Sequence, residues 1–229
     1  MLSPIIVALD TDHKSALEMA SKLDPKECRI KVGSQLFTSS GPKVIYELNK
    51  LGFDIFLDLK FHDIPNTVYR AIQEACKLEI WMVNVHCSGG KEMLRSARKS
   101  VSENKSSKSP LLVGVTLLTS IDAEQGKEIG IKNTKDHTIS LAKLAKDNGM
   151  DGVVCSPHEV KEIKNLLGED FILVTPGIRS SDLIEDQKRF SSAKEALRRG
   201  SDYIVVGRPI TSSPNPVESV KSLLQEIKS

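Results

Sequence analysis

The chain has 229 residues, of which 39% are hydrophobic and 27% are charged, and its formal net charge is only +2. This length allows one large domain with a sizeable core, and the balanced charge gives no electrostatic reason to expect nucleic acid or membrane partners. No apolar run approaches the roughly 20 residues of a membrane span, and the apolar N-terminal segment predicts a strand, not a signal peptide. The four cysteines show no CxxC spacing, as expected of core residues in a reduced cytoplasmic protein.

Eight short apolar runs rich in Val, Ile and Leu recur along the chain, each followed by a helical pattern. Runs in which polar residues do not alternate with apolar ones are typical of parallel strands that are covered on both faces. The runs are residues 4–9, 28–33, 53–59, 81–86, 111–116, 152–155, 171–175 and 203–207. Eight β-then-α units predict an α/β fold, a (β/α)8 TIM barrel that occupies residues 1–229 as a single domain. The alternative is an open doubly wound sheet, although the first βα turn lacks the Gly-rich fingerprint of a Rossmann sheet.

Helix-start signals accompany several of these units. Ser156 and Glu159 form a capping box, which predicts a helix with Pro157 at its first position. Asn215 and Glu218 repeat this device before the last predicted helix. Residues 121–136 are a polar excursion in which we expect a short helix.

The third strand carries charges where a buried strand should be apolar. Asp58 and Lys60 are two residues apart and therefore share one face of the strand, while Asp63 follows the strand end. A buried charge costs several kcal/mol unless it is paired, so an alternating carboxylate, ammonium and carboxylate array indicates chemistry. The alternative is an edge strand with solvated charges.

Lys31 is a second cation inside a predicted barrel strand. Lys31, Asp58, Lys60 and Asp63 can form an alternating network of balanced formal charge. Because such networks also occur without catalysis, a purely structural ion-pair cluster remains an alternative.

The last two strands are followed by residues suited to an anion. Gly177 and Gly207 allow backbone N–H groups to approach an anion closely, and Arg179 and Arg208 supply charged donors. The loops after strands seven and eight are the usual phosphate site of this barrel, so we predict a phosphate clamp there. No His, Cys and carboxylate grouping has metal-ligand spacing, and His86 is expected to be a hydrogen-bonded core residue.

The Asp-x-Lys-x-x-Asp-Ile pattern that starts at Asp58 resembles the signature of orotidine 5′-phosphate decarboxylases, best matched by the bacterial-type branch. Further similar segments lie in the family's order along nearly the whole chain. They are residues 8–10, 31–33, 115–120, 175–179, 186–189 and 206–209. The segment 179–187 is shorter than is common in this branch.

This resemblance implies a homodimeric barrel that decarboxylates orotidine 5′-monophosphate to uridine 5′-monophosphate, the last step of de novo UMP synthesis, without cofactor or metal. It implies that Lys60 donates a proton to C6, that Asp58 faces the departing carboxylate, and that Lys31 holds the network. Asp63 and Thr67 would reach the neighbouring subunit's site. The substrate-binding residues that it implies are Asp10, Lys31, Asp58, Lys60, Asp63, Ile64, Thr67, Thr119, Ser120, Pro176, Arg179, Gln187, Gly207 and Arg208.

Two other functions remain open at this point. One is a magnesium-dependent decarboxylase of a keto-sugar phosphate, such as 3-keto-L-gulonate 6-phosphate, which shares the Asp-x-Lys-x-x-Asp arrangement. Resemblance to that family would imply a metal-binding carboxylate at the position where this chain has Lys31. The other is a regulatory role, in which a barrel without catalytic activity binds a sugar phosphate. That role does not require a buried charge network.

Overall fold

The structure is a computed structural model that describes residues 3–105, 108–178 and 191–228. Eight parallel strands close into a barrel in chain order, with the first strand paired to the last. The strands are β1 (Ile5–Ala8), β2 (Arg29–Gly33), β3 (Ile55–Phe61), β4 (Met82–His86), β5 (Leu111–Val115), β6 (Gly152–Val154), β7 (Ile172–Thr175) and β8 (Tyr203–Val206). The predicted α/β barrel is therefore confirmed, and the open doubly wound sheet is wrong.

Helices lie between the strands and cover the outside of the barrel. Those in the described residues are α1 (His13–Ala20), α2 (Ser34–Ser40), α3 (Lys43–Lys50), α4 (Pro65–Cys76), α5 (Gly90–Ser102), α6 (Ala123–Glu128), α7 (Thr134–Asp147), α8 (Val160–Leu167), α9 (Ala193–Arg198), α10 (Arg208–Thr211) and α11 (Pro216–Lys228). A short 3₁₀ helix, Cys87–Gly89, follows β4. None of these helices is long and apolar enough to cross a membrane.

Side chains along each strand point alternately to the outside and the inside of the barrel, and this divides the core into two parts. Val7, Val32 and Leu57 belong to the larger cluster between the sheet and the helices. Ile6 and Phe56 belong to a smaller cluster inside the barrel. Because alternate residues point to opposite faces of a strand, residues two positions beyond an inward residue also point inward.

An arginine and two aromatic rings lie at the N-terminal end of the barrel. The Arg29 guanidinium lies 4.3 Å from the centre of the Trp81 ring and 5.1 Å from that of Tyr203. Arg29 also donates to the carbonyl of Ser3 at 2.5 Å. Trp81 is half-buried and packs edge-on against Tyr203. Arg29 and Tyr203 begin their strands and Trp81 directly precedes β4, so this cluster lies at the end of the barrel opposite the C-terminal strand ends.

Helix starts agree with the sequence in two cases and differ in one. Asn215 accepts the N–H of Glu218 at 3.3 Å, and Asp122 caps α6, the short helix expected in the excursion after β5. The box at Ser156 does not cap α8, which begins only at Val160. The Ser156 hydroxyl instead accepts the N–H of His158 at 3.3 Å, within the turn that precedes the helix.

Candidate active site

Three charged residues meet at the C-terminal mouth of the barrel because strand alternation and register place them there. Lys31 pairs in register with Ala8, and Asp58 pairs with Gly33. Ala8 lies in the inner core, so Asp10, two residues further along, also points toward the mouth. The first three strands thus supply Asp10, Lys31 and Asp58 to one location.

Four charged groups form an alternating chain across this mouth. The Lys31 ammonium lies 3.0 Å from Asp10 Oδ1 and 3.3 Å from Asp58 Oδ2. The Lys60 ammonium lies 2.7 Å from the other oxygen, Asp58 Oδ1. Asp58 is therefore held between two cations, as the sequence predicted for Lys31, Asp58 and Lys60.

Burial differs along this chain of charges. The side chains of Lys31 and Asp58 are only 10% and 12% exposed, so each needs the other as a partner. The Lys60 side chain is 34% exposed and faces the opening. Both oxygens of Asp58 are paired, while the Lys60 ammonium remains accessible to a ligand from solvent.

Gly33 leaves the space that the Lys31 ammonium occupies. A Cβ at this position would lie 2.9 Å from Lys31 Nζ and 3.1 Å from Asp10 Oδ1. Both distances are shorter than an ordinary van der Waals contact, so a side chain here would displace the ion pair. Gly33 thus belongs to the site, although sequence analysis gave it no specific role.

A break in strand pairing shapes the site around Lys60. Leu57 pairs with Val83 and Phe61 pairs with Val85, so residues 58–60 of β3 all lie opposite Asn84 of β4. Within this bulge Lys60 has a left-handed backbone with φ of 52°. Bulges re-aim side chains and are frequent beside active sites. Asn84 was missed by sequence analysis, and its only signal was a polar residue within the apolar run of β4.

His86 ends β4 close to this bulge. Its ring centre lies 5.4 Å from that of His62. Burial lowers the pKa of His86 below its usual value, the charges of His62 and Lys60 lower it further, and Asp58 opposes the shift. The neutral imidazole is therefore favoured. His86 is half-buried rather than a fully enclosed core residue.

Asp63, Ile64 and Thr67 do not join the network within one chain. All three are exposed, and Ile64 retains 67% of its accessible surface. Asp63 Oδ1 accepts the N–H of Ile64 at 2.6 Å, and no cation of the described residues lies within ion-pair distance of it. Three of the four predicted residues, Lys31, Asp58 and Lys60, therefore form the network within one chain, and Asp10 is an additional member.

Two of the predicted phosphate residues, Gly207 and Arg208, lie beside Asp10 of the network. Gly177 has a left-handed backbone with φ of 80°, which glycine adopts without strain, and it follows the half-buried Pro176. Gly207 and the exposed Arg208 line a cavity of about 240 Å³ that Asp10 also lines. Arg179 and Gln187, predicted for the same phosphate, lie outside the described residues.

Thr119 and Ser120 are exposed in the loop after β5. Thr119 lines a second cavity of about 320 Å³, together with Ser156 and Glu159 of the loop after β6. Burial raises the pKa of the Glu159 carboxyl. Within residues 3–105, 108–178 and 191–228, no group of three or more His, Cys, Asp or Glu side chains is arranged to hold a metal ion.

Comparison with known proteins identifies close relatives. The family model described as "Orotidine 5'-phosphate decarboxylase / HUMPS family" matches residues 3–223. A curated orotidine 5′-phosphate decarboxylase of Chromobacterium violaceum is 50% identical over 228 residues, covering 98% of this chain and 92% of the relative. One of Psychromonas ingrahamii is 51% identical over 223 residues, covering 96% and 94%.

Solved structures agree with these sequence relationships. The crystal structure of orotidine 5′-phosphate decarboxylase from Lactobacillus acidophilus superposes with a TM-score of 0.88 at 39% identity. The match covers 99% of this chain and 100% of that one. The similarity therefore extends over nearly the whole chain.

Proposed function

Since the chain belongs to the orotidine 5′-phosphate decarboxylase / HUMPS family, we propose that it converts orotidine 5′-monophosphate to uridine 5′-monophosphate and CO2. This reaction is the last step of de novo UMP synthesis, and relatives about half identical to this chain carry the name of that enzyme. The observation that carries the proposal is the ion-paired Lys31, Asp58 and Lys60 at the barrel mouth.

Lys60 is the proposed proton donor. Loss of CO2 from C6 of the pyrimidine leaves a vinylic carbanion, whose charge must be stabilised in place. An ammonium held at that carbon stabilises the developing charge and then protonates it. The Lys60 ammonium suits this role because it is partly exposed at the mouth and held at 2.7 Å by Asp58. We propose that the reaction needs neither cofactor nor metal.

Asp58 and Lys31 are proposed to set the electrostatics of this step. The substrate carboxylate would lie against Asp58, a like charge, and would leave that contact as CO2 departs. Such repulsion destabilises the bound substrate more than the transition state. Lys31 holds the far oxygen of Asp58 at 3.3 Å and, with Asp10, is proposed to bind the ribose hydroxyls.

The nucleotide is proposed to extend from the loop after β5 to the loops after β7 and β8. Thr119 and Ser120 would contact the pyrimidine, with Pro176 beside it. Gly207 and Arg208 would bind the phosphate, and their cavity already adjoins Asp10. Arg179 and Gln187 would make further contacts with the phosphate. Binding energy from a remote phosphate can assist the chemical step at the other end of the substrate.

We propose that two copies of the chain form a homodimer whose sites are completed across the interface. Asp63, Ile64 and Thr67 would enter the partner's site, which fits their exposure in a single chain. Beside them lies an apolar groove of about 380 Å³ lined by residues that include Tyr46 and Phe61. We propose a cytoplasmic location, which the unpaired and buried cysteines support. We also propose one barrel domain over residues 1–229, which the closed eight-stranded sheet supports.

Incubation with orotidine 5′-monophosphate tests the proposal. Release of CO2 with formation of uridine 5′-monophosphate is expected in the wild type, with the same rate after EDTA treatment, and Lys60→Ala is the matched control. Loss of activity with EDTA and its restoration by Mg²⁺ would contradict the metal-free reaction. Turnover of 3-keto-L-gulonate 6-phosphate alone would support the keto-sugar phosphate alternative, and no turnover of either compound would favour the regulatory role.

A further inference from the structure

Asn84 is a completely buried amide in the middle of β4. A buried amide is destabilising when it lacks hydrogen-bond partners, so the partners of Asn84 explain its presence in a buried strand. Both partners of Asn84 belong to the candidate active site. Its Oδ1 accepts the backbone N–H of Lys60 at 2.8 Å, and its Nδ2 donates to Asp58 Oδ1 at 2.6 Å.

The two hydrogen bonds allow only one orientation of the Asn84 amide. In the reverse orientation, the NH2 group would face the Lys60 N–H and the carbonyl oxygen would face the Asp58 carboxylate. Two donors would then meet on one side and two acceptors on the other. The amide therefore holds a fixed distance between the Lys60 backbone and the Asp58 carboxylate.

The backbone at Lys60 needs such support. Residues 58–60 lie opposite Asn84 alone, so the regular strand ladder is interrupted there. The left-handed φ of 52° at Lys60 is unfavourable for a residue with a side chain and persists only where the surrounding structure holds it. The Asn84 side chain supplies the acceptor that the interrupted ladder does not offer to the Lys60 N–H.

We propose that Asn84 is a positioning residue that fixes Lys60 and Asp58 in their reactive geometry. This inference rests on the proposed function, in which Lys60 protonates C6 beside Asp58. Asn84 acts through these two residues. It stabilises the bulge that orients Lys60. It also donates to Asp58 Oδ1, the same oxygen that accepts a hydrogen bond from the Lys60 ammonium at 2.7 Å.

Two substitutions test the hydrogen bonds of Asn84, and one of them separates the bond to Lys60 from the bond to Asp58. Asn84→Leu removes both, and we expect kcat to fall at least about tenfold while KM changes by less than about threefold, since misplacing a reacting group by 1 Å can cost about a hundredfold. Asn84→Asp retains an acceptor for the Lys60 N–H but replaces the donor to Asp58 with a carboxylate.

The pH profile of Asn84→Asp is the decisive measurement. The introduced carboxyl lies next to the carboxylate of Asp58, and this like charge raises its pKa. Below that pKa it is protonated and donates to Asp58, so activity per folded molecule approaches the wild-type value. Above it, two carboxylates repel each other and activity falls. We therefore expect a loss of kcat with rising pH that the wild type does not show, even if Asn84→Leu fails to fold.

A remote buried hydrogen bond provides the control. Ser100 is buried on α5 and donates to the carbonyl of Tyr69 at 2.8 Å, so Ser100→Ala should lower Tm and leave kcat and the pH profile unchanged. A pH profile of Asn84→Asp that parallels the wild type at wild-type kcat would overturn the positioning role. An inactive wild type would instead refute the proposed function, and this inference with it.

Discussion

The Lys60 ammonium donates to Asp58 Oδ1 at 2.7 Å from a stretch of β3 in which three residues lie opposite a single residue of β4. A regular strand would already place these two side chains on one face. The bulge adds a left-handed backbone at Lys60 and leaves its side chain partly exposed at the mouth. The charge pair is thus both buried on the Asp58 side and open to a ligand on the Lys60 side.

Removal of the Lys60 amine should abolish most of the activity without unfolding the barrel. We expect Lys60→Ala to decarboxylate at least about a hundredfold more slowly, because a positioned proton donor contributes about 10²–10⁴-fold. Steady-state turnover of orotidine 5′-monophosphate and Tm measure the two effects separately. Near-normal turnover in this variant would refute the role of Lys60.

A methyl group at Gly33 should displace the Lys31 ammonium. Because that Cβ would lie 2.9 Å from Lys31 Nζ, we expect Gly33→Ala to lower kcat by about tenfold or more with little change in Tm. Gly41→Ala is the control, since Gly41 has φ of 58° and no atom within 4 Å of its added Cβ. That variant should lose Tm and retain kcat, and the same pattern in Gly33→Ala would argue against the displacement.

The guanidinium of Arg208 should matter for nucleotides that carry a phosphate. Loss of a hydrogen bond to a charged group costs about 1.5–3 kcal/mol, so Arg208→Ala should weaken uridine 5′-monophosphate binding at least about tenfold. Binding of uridine, measured by calorimetry, should not change. Arg198→Ala, which removes an exposed arginine at the end of α9, serves as the control. Equal losses for both ligands would contradict a phosphate contact.

Stability should decrease at acid pH because of His86. Its folded-state pKa lies below the ordinary value of 6.5, mainly because the ring is buried. The unfolded chain therefore binds more protons in this range, and stability is lost as pH falls through 6.5 and then through the folded pKa.

His86→Gln should remove this loss. Between pH 7 and about 5, Tm of the wild type should fall more than Tm of His86→Gln, as the linkage between pKa and stability requires. His158→Gln, at an exposed position before α8, should follow the wild type. Parallel curves for the wild type and His86→Gln would mean that His86 contributes nothing to the pH dependence.

Subunit mixing tests whether Asp63 acts in the partner's site. A heterodimer of Asp63→Ala and Lys60→Ala chains would contain one site with both residues intact. Random exchange at equal concentrations should therefore restore about a quarter of wild-type activity in a symmetric dimer. Asp58→Ala mixed with Lys60→Ala should restore nothing, because both residues belong to the same chain's site. No recovery in the first mixture, after exchange is verified, would argue against sharing.

The fold was predictable because every strand of this barrel is covered on both faces and appears as an apolar run. The charges at Lys31 and Asp58 stood out for the same reason, since each interrupts such a run, and Lys60 directly follows the run that contains Asp58. The bulge was not predictable, because β3 was expected to end at position 59 and continues to Phe61. The partners of Asn84 depend on this irregular pairing, and a single polar residue in a strand does not reveal them.

Gly33 shows a similar limit. Glycine at a strand end has many explanations, and only the position of the Lys31 ammonium reveals why a side chain would not fit. The Ser156 box had the residue types of a helix cap, but its hydroxyl is used within the preceding turn. Local patterns thus identified candidate residues, while their contacts depended on elements distant in sequence.

A crystal structure with bound uridine 5′-monophosphate tests the central claim most directly. We predict that the Lys60 ammonium lies about 3–3.5 Å from C6 of the pyrimidine, the separation expected of reacting atoms, with Asp58 beside the position of the lost carboxyl group. An ammonium directed into solvent, with C6 facing another part of the mouth, would contradict the account.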